Sequence, residues 1–241
     1  MIPTLYEKFK PWSEKGSVYI ISDTHFDDSD CKLMSKTWPS ADEQLEKIKK
    51  VVHKNDTLIH LGDVGNLSYI KKIKAYKVLI MGNHDTGRSN FERKIITKRF
   101  SKDLYTRENA LNKMKEDYPD CEYSISEEHD FHSPFESWVI SADNKLFDEV
   151  YGDPLMIADK IFLSHAPILG IDWCLNMHGH DHSGRKIDNY HLNLASNVCN
   201  YTPINLKNEI KNGLLANVLS IHRMTIDNAS RNPLHKGVNK T

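Results

Sequence analysis

Nine side chains of this 241-residue chain bind metals or move protons in other proteins, and here they sit in short polar clusters, each just past an apolar run. They are Asp23 and His25 in SDTH, Asp63 in GD, Asn83, His84 and Asp85 in GNHD, His165 in SHAP, and His180 and His182 in HGHDH. Carboxylates, an amide oxygen and imidazoles suit first-row ions such as Mn²⁺, Fe²⁺/Fe³⁺, Zn²⁺ or Ni²⁺. The clusters contain no thiolate, which argues against a structural zinc site. Asp23, His25, Asp63, Asn83, His84, His165, His180 and His182 offer more candidate ligands than one ion takes and suit two ions that share a carboxylate. Two ions about 3.5–4 Å apart clamp a phosphoryl group for in-line displacement and make hydroxide from a bridging water near neutral pH.

The elements that must position these groups are legible as apolar runs. SVYII (17–21), TLIHL (57–61) and VLIM (78–81) read as buried strands. A capping box, Ser40-Ala41-Asp42-Glu43, opens a helix to about Lys54 with Leu45, Ile48, Val51 and Val52 on one stripe. Leu67, Ile70 and Ile73 mark a second, short helix. Strand and helix alternate, which predicts βαβ units in a largely parallel sheet. Ligands of such sheets gather beyond the carboxyl ends of the strands. The first three strands end in DTH, GD and GNHD, side by side at one edge. Asp23 and His25 are two residues apart in an extended segment, so both reach one point. Gly82 lets the backbone bend sharply out of its strand. KIFL (160–163), WCLNM (173–177) and HLNLA (191–195) read as later strands, and 203–214 as a short helix.

Other polar residues read as ordinary. His60 lies inside a strand and reads as a satisfied core histidine. Asp27, Asp28 and Asp30 read as exposed loop acids, and His129 and His132 as surface histidines. His178 has no assigned role. Residues 86–146 break the strand–helix rhythm and are too many for a plain connection. They read as a largely helical insertion, with Ile95, Ile96, Phe100 and Leu104 on one amphipathic helix, extended through Leu111 and Met114, packing on the main sheet as a lid. The chain is a single domain over 1–241 with a flexible tail at 230–241.

Composition bounds the rest. With 39% hydrophobic and 27% charged residues the chain is globular, and a net charge of -1 gives no general drive toward nucleic acid or membrane. The N-terminus has no signal-like apolar core, and no run is long enough to span a bilayer. Cys31, Cys121, Cys174 and Cys199 are far apart and read as free thiols in a reducing, cytoplasmic compartment.

The order D-x-H, G-D, G-N-H-D, a lone H after a strand, then G-H-x-H resembles the calcineurin-like metallophosphoesterases over residues 17–85 and 147–200. The resemblance implies an α/β fold, a four-layer α/β/β/α sandwich of two mixed sheets with helices outside. It implies that Asp23, His25 and His182 hold one metal, Asn83, His165 and His180 the second, and that Asp63 bridges them. His84 is similar to the family's non-ligand histidine, which stabilises or protonates the leaving oxygen, with Asp85 orienting it. The implied cofactors are two divalent transition ions (Mn, Fe, Zn or Ni, with Mn favoured). The implied reaction is hydrolysis of a small phosphodiester or phosphomonoester by a metal-bridging hydroxide. A nuclease using the basic segment Arg88–Arg107 is the alternative, though pairing of that segment with the acids after it is favoured. A catalytically silent scaffold is a further reading, but it would be expected to have lost His84 or a ligand, and none is missing.

Overall fold

The computed structural model describes residues 2–129, 136–183, 190–219 and 221–231. In chain order the elements are β1 (Val18–Ile21), α1 (Cys31–Met34), α2 (Ala41–Val51), β2 (Thr57–His60), α3 (Ser68–Lys71), β3 (Tyr76–Ile80), β4 (Ile95–Ser101), α4 (Arg107–Asp117), β5 (Glu122–His129) and β6 (Glu136–Asp143). They continue with β7 (Glu149–Tyr151), β8 (Leu155–Ala158), β9 (Ile161–Leu163), β10 (Leu175–His178), β11 (His191–Asn193), β12 (Ile204–Asn205), α5 (Leu206–Lys211) and α6 (Ile221–Arg231). The expected tail begins inside α6 at residue 230, and residues 232–241 lie outside the described residues.

The first sheet has the order β12-β1-β2-β3-β7 and the second β11-β10-β9-β8. β1, β2, β3 and β7 are parallel with β12 antiparallel; β11, β10 and β9 are parallel with β8 antiparallel. This is the mixed α/β sandwich that the motif order implies. The apolar runs divide with a period of two. Val18, Ile20, Ile59, Leu61, Val78 and Ile80 pack in one cluster with Ile161, Leu163, Leu175, Met177, Leu192 and Leu194 of the second sheet. The intervening Ile21, Leu58 and Leu79 pack against Leu45 and Ile48 of α2 and Ile70 and Ile73 around α3. A sheet covered on both faces needs apolar residues at nearly every position, which is why these strands do not alternate. Each fully buried aliphatic side chain contributes about 1.5–3 kcal/mol. α2 opens on the predicted capping box: Ser40 Oγ accepts the Glu43 N–H at 3.2 Å and Glu43 accepts the Ser40 N–H at 2.8 Å. The register pairs Ile21 with His60 and His60 with Leu79, so β1, β2 and β3 end level.

The insertion is not largely helical. It is a three-stranded antiparallel sheet, β4-β6-β5, backed by α4. Ile95, Ile96 and Phe100 lie on a strand: Ile96, Lys98 and Phe100 turn inward while Ile95 is exposed. The spacing of these apolar residues fits a helical stripe as well as a strand. The β-branched run Ile95-Ile96-Thr97 and pairing along all of β4 with β6 decide for the strand. Leu111 and Met114 do lie on a helix, α4, capped by Thr106 Oγ1 accepting the Asn109 N–H at 3.2 Å. Phe100, Ala110, Met114, Ile140 and Ala142 form a core of the insertion's own.

Its root is tied to the edge opposite the ends of β1–β3. The Arg93 guanidinium donates to Asp143 at 3.0 Å and to Asp148 at 2.6 Å, and Asp148 accepts the Lys77 N–H at 2.8 Å. Lys77, the second residue of β3, is buried. Its Nζ donates to the carbonyls of Ile70, Ile73 and Lys145 at 3.3, 3.2 and 2.7 Å, closing the end of α3 and the return from the insertion. Burial pushes its ammonium down to about 8.

Two predictions follow from this root. Between pH 8 and 10.5 the unfolded chain holds a proton that folded Lys77 has lost, so stability rises with pH across that window and the cost of the buried charge is complete below it. In urea titrations, the stability of wild type relative to Lys77→Met is expected to increase from pH 8 to 10.5. Residues 95 and 143 are paired neighbours at the root. Replacing 96–142, which leaves Arg93 and Asp143 in place, by a short Gly/Ser linker is therefore expected to leave a folded protein, by circular dichroism, that still binds metal.

Candidate metal centre

Past β1 the chain leaves the first sheet's ladder and joins the second. The Ser22 N–H donates to the Leu194 carbonyl at 2.9 Å, which splices the two sheets where both present polar turns. The next residues run beside the loop after β2: the Asp23 N–H donates to Gly62 O at 2.9 Å and the His25 N–H to Asp63 O at 3.1 Å. Asp23, His25, Asp63 and His180 all adopt left-handed backbone, at φ of +55°, +42°, +56° and +66°. Such conformations cost free energy and persist only where surroundings enforce them, commonly at functional sites. Glycine lets bare backbone approach both carboxylates: a Cβ on Gly82 would lie 2.2 Å from Asp63 Oδ1, and one on Gly179 would lie 2.0 Å from Asp23 Oδ2.

The structure brings seven of the candidate ligands into two adjoining groups. In one, Asp23 Oδ1 lies 4.0 Å from His25 Nε2 and 3.5 Å from His182 Nε2. In the other, His165 Nε2 lies 3.2 Å from Asp63 Oδ2, 2.8 Å from Asn83 Oδ1 and 3.1 Å from His180 Nδ1. Asp63 Oδ2 also lies 3.8 Å from His25 Nε2, so this carboxylate faces both groups. His84 stands beside them on the exposed turn, its N–H donating to Asp63 Oδ1 at 2.9 Å and its ring 5.5 Å from that of His25.

The donors fit metal ions. Ligands at about 2.0–2.2 Å from one ion are themselves roughly 3–3.5 Å apart, near the separations found here. Three rings have their Nδ1 engaged outside the cluster: His25 with Asp28 Oδ2 at 3.1 Å, His165 with Leu61 O at 2.9 Å and His182 with Asn197 Oδ1 at 3.0 Å. With the proton on Nδ1, each Nε2 lone pair is turned inward, the arrangement metal-binding histidines require. Asp23 and Asp63 are 0% and 2% exposed, and anions so buried call for cations.

Asp85 has a different place from the one expected. Its carboxylate accepts backbone N–H groups of Asp63 at 2.8 Å, Gly82 at 2.9 Å and Val64 at 3.2 Å, and so clamps the loop after β2 to the turn after β3. All three of these bonds go to backbone and none to the His84 ring, so Asp85 positions Asp63. His60 is the satisfied core histidine anticipated: it accepts the Gly62 N–H at 3.1 Å and meets Thr24 Oγ1 at 3.0 Å, and burial drops it to about 3, which keeps it neutral. His178 is buried and packs edge-on to His191. His129 lies on β5 in the insertion, near Glu136, and His132 lies outside the described residues. Sequence reasoning missed Asn197 and Trp38, which touch His182. Asp28 it read only as a loop acid. An outer partner of a ligand follows no fixed spacing, so no sequence signal marked them.

Asp85→Ala would leave three backbone donors without their acceptor, and hydrogen bonds to a charged group are worth about 1.5–3 kcal/mol each. The variant is expected to lose roughly 3 kcal/mol or more of stability in denaturant titration. Its affinity for metal should fall as well, read by elemental analysis, although Asp85 is not placed as a ligand.

A family model described as calcineurin-like phosphoesterase matches residues 16–195. No curated protein matches the chain. Among solved structures, a protein of unknown function from Aquifex aeolicus is similar, with a TM-score of 0.47 and 22% identity over 81% of this chain and 98% of that one. The match spans all five motifs and both sheets up to β11, and the chain belongs to the calcineurin-like phosphoesterase family.

Proposed function

We propose that the protein is a dinuclear metal-dependent phosphoesterase that hydrolyses a small phosphodiester or phosphomonoester. Family membership supports a metal-dependent phosphoesterase in general terms, and the two ligand groups support a divalent metal centre. The observation that carries the finer reading is the Asp63 carboxylate, which faces His25 of one group and His165 of the other. Two divalent ions bound there, with Mn²⁺ favoured, would polarise the phosphoryl oxygens and lower the pKa of a shared water.

The chain's own residues do the rest. Asp23, His25 and His182 would hold one ion and Asn83, His165 and His180 the other. Asp85 and the glycine backbone keep Asp63 between them. The His84 ring, on the exposed turn beside the cluster, is counted in neither ligand group and is the group available to steady or protonate a leaving oxygen. The nuclease reading gains no support from the basic segment: Arg88, Arg93, Lys98, Arg99 and Lys102 pair with Glu92, Asp143, Asp117, Glu128 and Glu127. Cations so engaged are poorly placed to grip a nucleic-acid backbone. No helix among the described residues is long and apolar enough to cross a membrane.

Three measurements test the reading. Elemental analysis is expected to find two transition ions per chain, with both weakened in Asp63→Asn; full activity with one ion or none would sink the two-metal mechanism. His84→Asn is expected to keep its metals and to slow esters with poor leaving groups by ~10²–10⁴-fold. Nitrophenyl esters, whose leaving oxygen needs no proton, should suffer less. An equal loss on both substrates would leave electrostatic stabilisation as the role of His84. A screen of the metal-loaded protein against cyclic nucleotides, linear diesters, nucleotides, phosphoproteins and short RNA identifies the substrate class.

A further inference from the structure

The two ligand groups differ in their surroundings. Asp23 and His25 are 0% and 6% exposed and His182 is partly buried, whereas in the other group only His165 is buried, at 7%, and Asn83 and His180 are exposed. The buried group is backed by side chains. The Asp28 carboxylate holds His25 Nδ1 at 3.1 Å, and Asn197 holds His182 twice, at Nδ1 and at its carbonyl, both at 3.0 Å. Over these rings lies Trp38, 3% exposed, with its centroid 6.4 Å from that of His25 and 5.7 Å from that of His182. Trp38 also meets Tyr201 edge-on at 5.4 Å, and Lys47 of α2 sits 5.1 Å over the Tyr201 ring and donates to Asn200 O at 3.2 Å. The wall is thus braced to the main helix. The indole N–H of Trp38 is buried without a hydrogen-bond partner. An orphaned donor is a cost, so the ring is held there by its packing and not by its polar atom.

We propose that Asp28 and Trp38 are positioning residues of the Asp23–His25–His182 group, and that they make it the tighter of the two ion sites. The proposal rests on the dinuclear reading above. Asp28 fixes the tautomer and angle of His25. Trp38 limits the swing of both imidazoles and keeps solvent from their inner faces. The other group has a backbone carbonyl, Leu61 O, behind His165, and its Asn83 and His180 are open to water. Its ion is therefore the exchangeable one, on the side from which a substrate can enter.

The test starts from the Mn²⁺-loaded full chain, dialysed against graded concentrations of a chelator, with retained metal measured by elemental analysis and folding by circular dichroism. Wild type is expected to release its ions in two steps. Loss of an outer partner of a metal ligand typically weakens binding ~10–100-fold. Asp28→Ala and Trp38→Ala are each expected to move the later step by that ~10–100-fold and leave the earlier one in place. Asp28→Asn, which keeps an acceptor oxygen, and Trp38→Phe, which keeps a ring, are expected to restore most of the later step. Asn83→Ala should move the earlier step alone. The proposal is overturned if Asp28→Ala leaves the later step unmoved or shifts both steps equally, or if Trp38→Phe holds metal as poorly as Trp38→Ala. Should Trp38→Ala fail to fold, the Asp28 pair and Trp38→Phe still decide. A wild-type protein with fewer than two ions before any chelator is added removes the dinuclear reading itself, an outcome separate from any of these.

Discussion

Two carboxylates almost without solvent, Asp23 and Asp63, stand at the ends of neighbouring parallel strands, and much of the surrounding structure exists to make that tolerable. Burying an anion is expensive unless it is paired and hydrogen-bonded. Asp23 takes the His180 N–H on both oxygens, at 3.1 and 2.9 Å, and Asp63 takes the His84 N–H at 2.9 Å. The imidazoles supply the next layer, and bound cations would complete the compensation. The left-handed turns at Asp23 and Asp63 and the missing side chains at Gly82 and Gly179 follow from the same need, since they let backbone N–H groups come within reach of the oxygens.

The parallel register is what allows this. Because β1, β2 and β3 end level, their turns meet at one edge, and the Ser22–Leu194 bond draws the ends of the second sheet alongside. Five sequence-distant turns then share one volume without any of them extending far from the core. From behind, the Asp85 carboxylate ties the turn after β3 to the turn after β2, and the neutral His60 ring ties that turn to Thr24 after β1. The placement of the ligand groups thus depends on buried side chains that lie behind them.

The insertion is built on a different principle. It has its own small core, its own antiparallel sheet, and a surface on which the basic strand and the acidic strand answer each other across β6 or by ion pairs. It is linked to the main body by a compact knot of Arg93, Asp143, Asp148 and Lys77 at the edge away from the metal-ligand turns, and by Lys71 of α3, which donates to Asp120 O at 3.0 Å. Removing the module therefore asks little of the sandwich.

The candidate ligands were readable in the sequence because metal-binding types recur after one apolar run after another; Asp or Asn after a single strand is an ordinary turn residue, and it is the recurrence that singles them out. His60 was readable as a core residue for the complementary reason, since it lies inside such a run. The helix α2 announced itself through its capping box and stripe. The insertion did not: Ile95, Ile96 and Phe100 fit a helical and a strand spacing equally, and the β-branched run gained its strand form through pairing with β6, distant in the chain. The role of Asp85 was likewise hidden. Adjacent to His84 in sequence, it turns instead to three backbone N–H groups, two of them across the gap between loops. Asp28, Trp38 and Asn197 were invisible as partners of His25 and His182, because contacts behind a ligand depend on how loops fold back and not on spacing. Sequence determined which residues could do the chemistry and which strands carry them; tertiary structure alone decided what holds each one still, since that depends on packing between segments far apart in the chain.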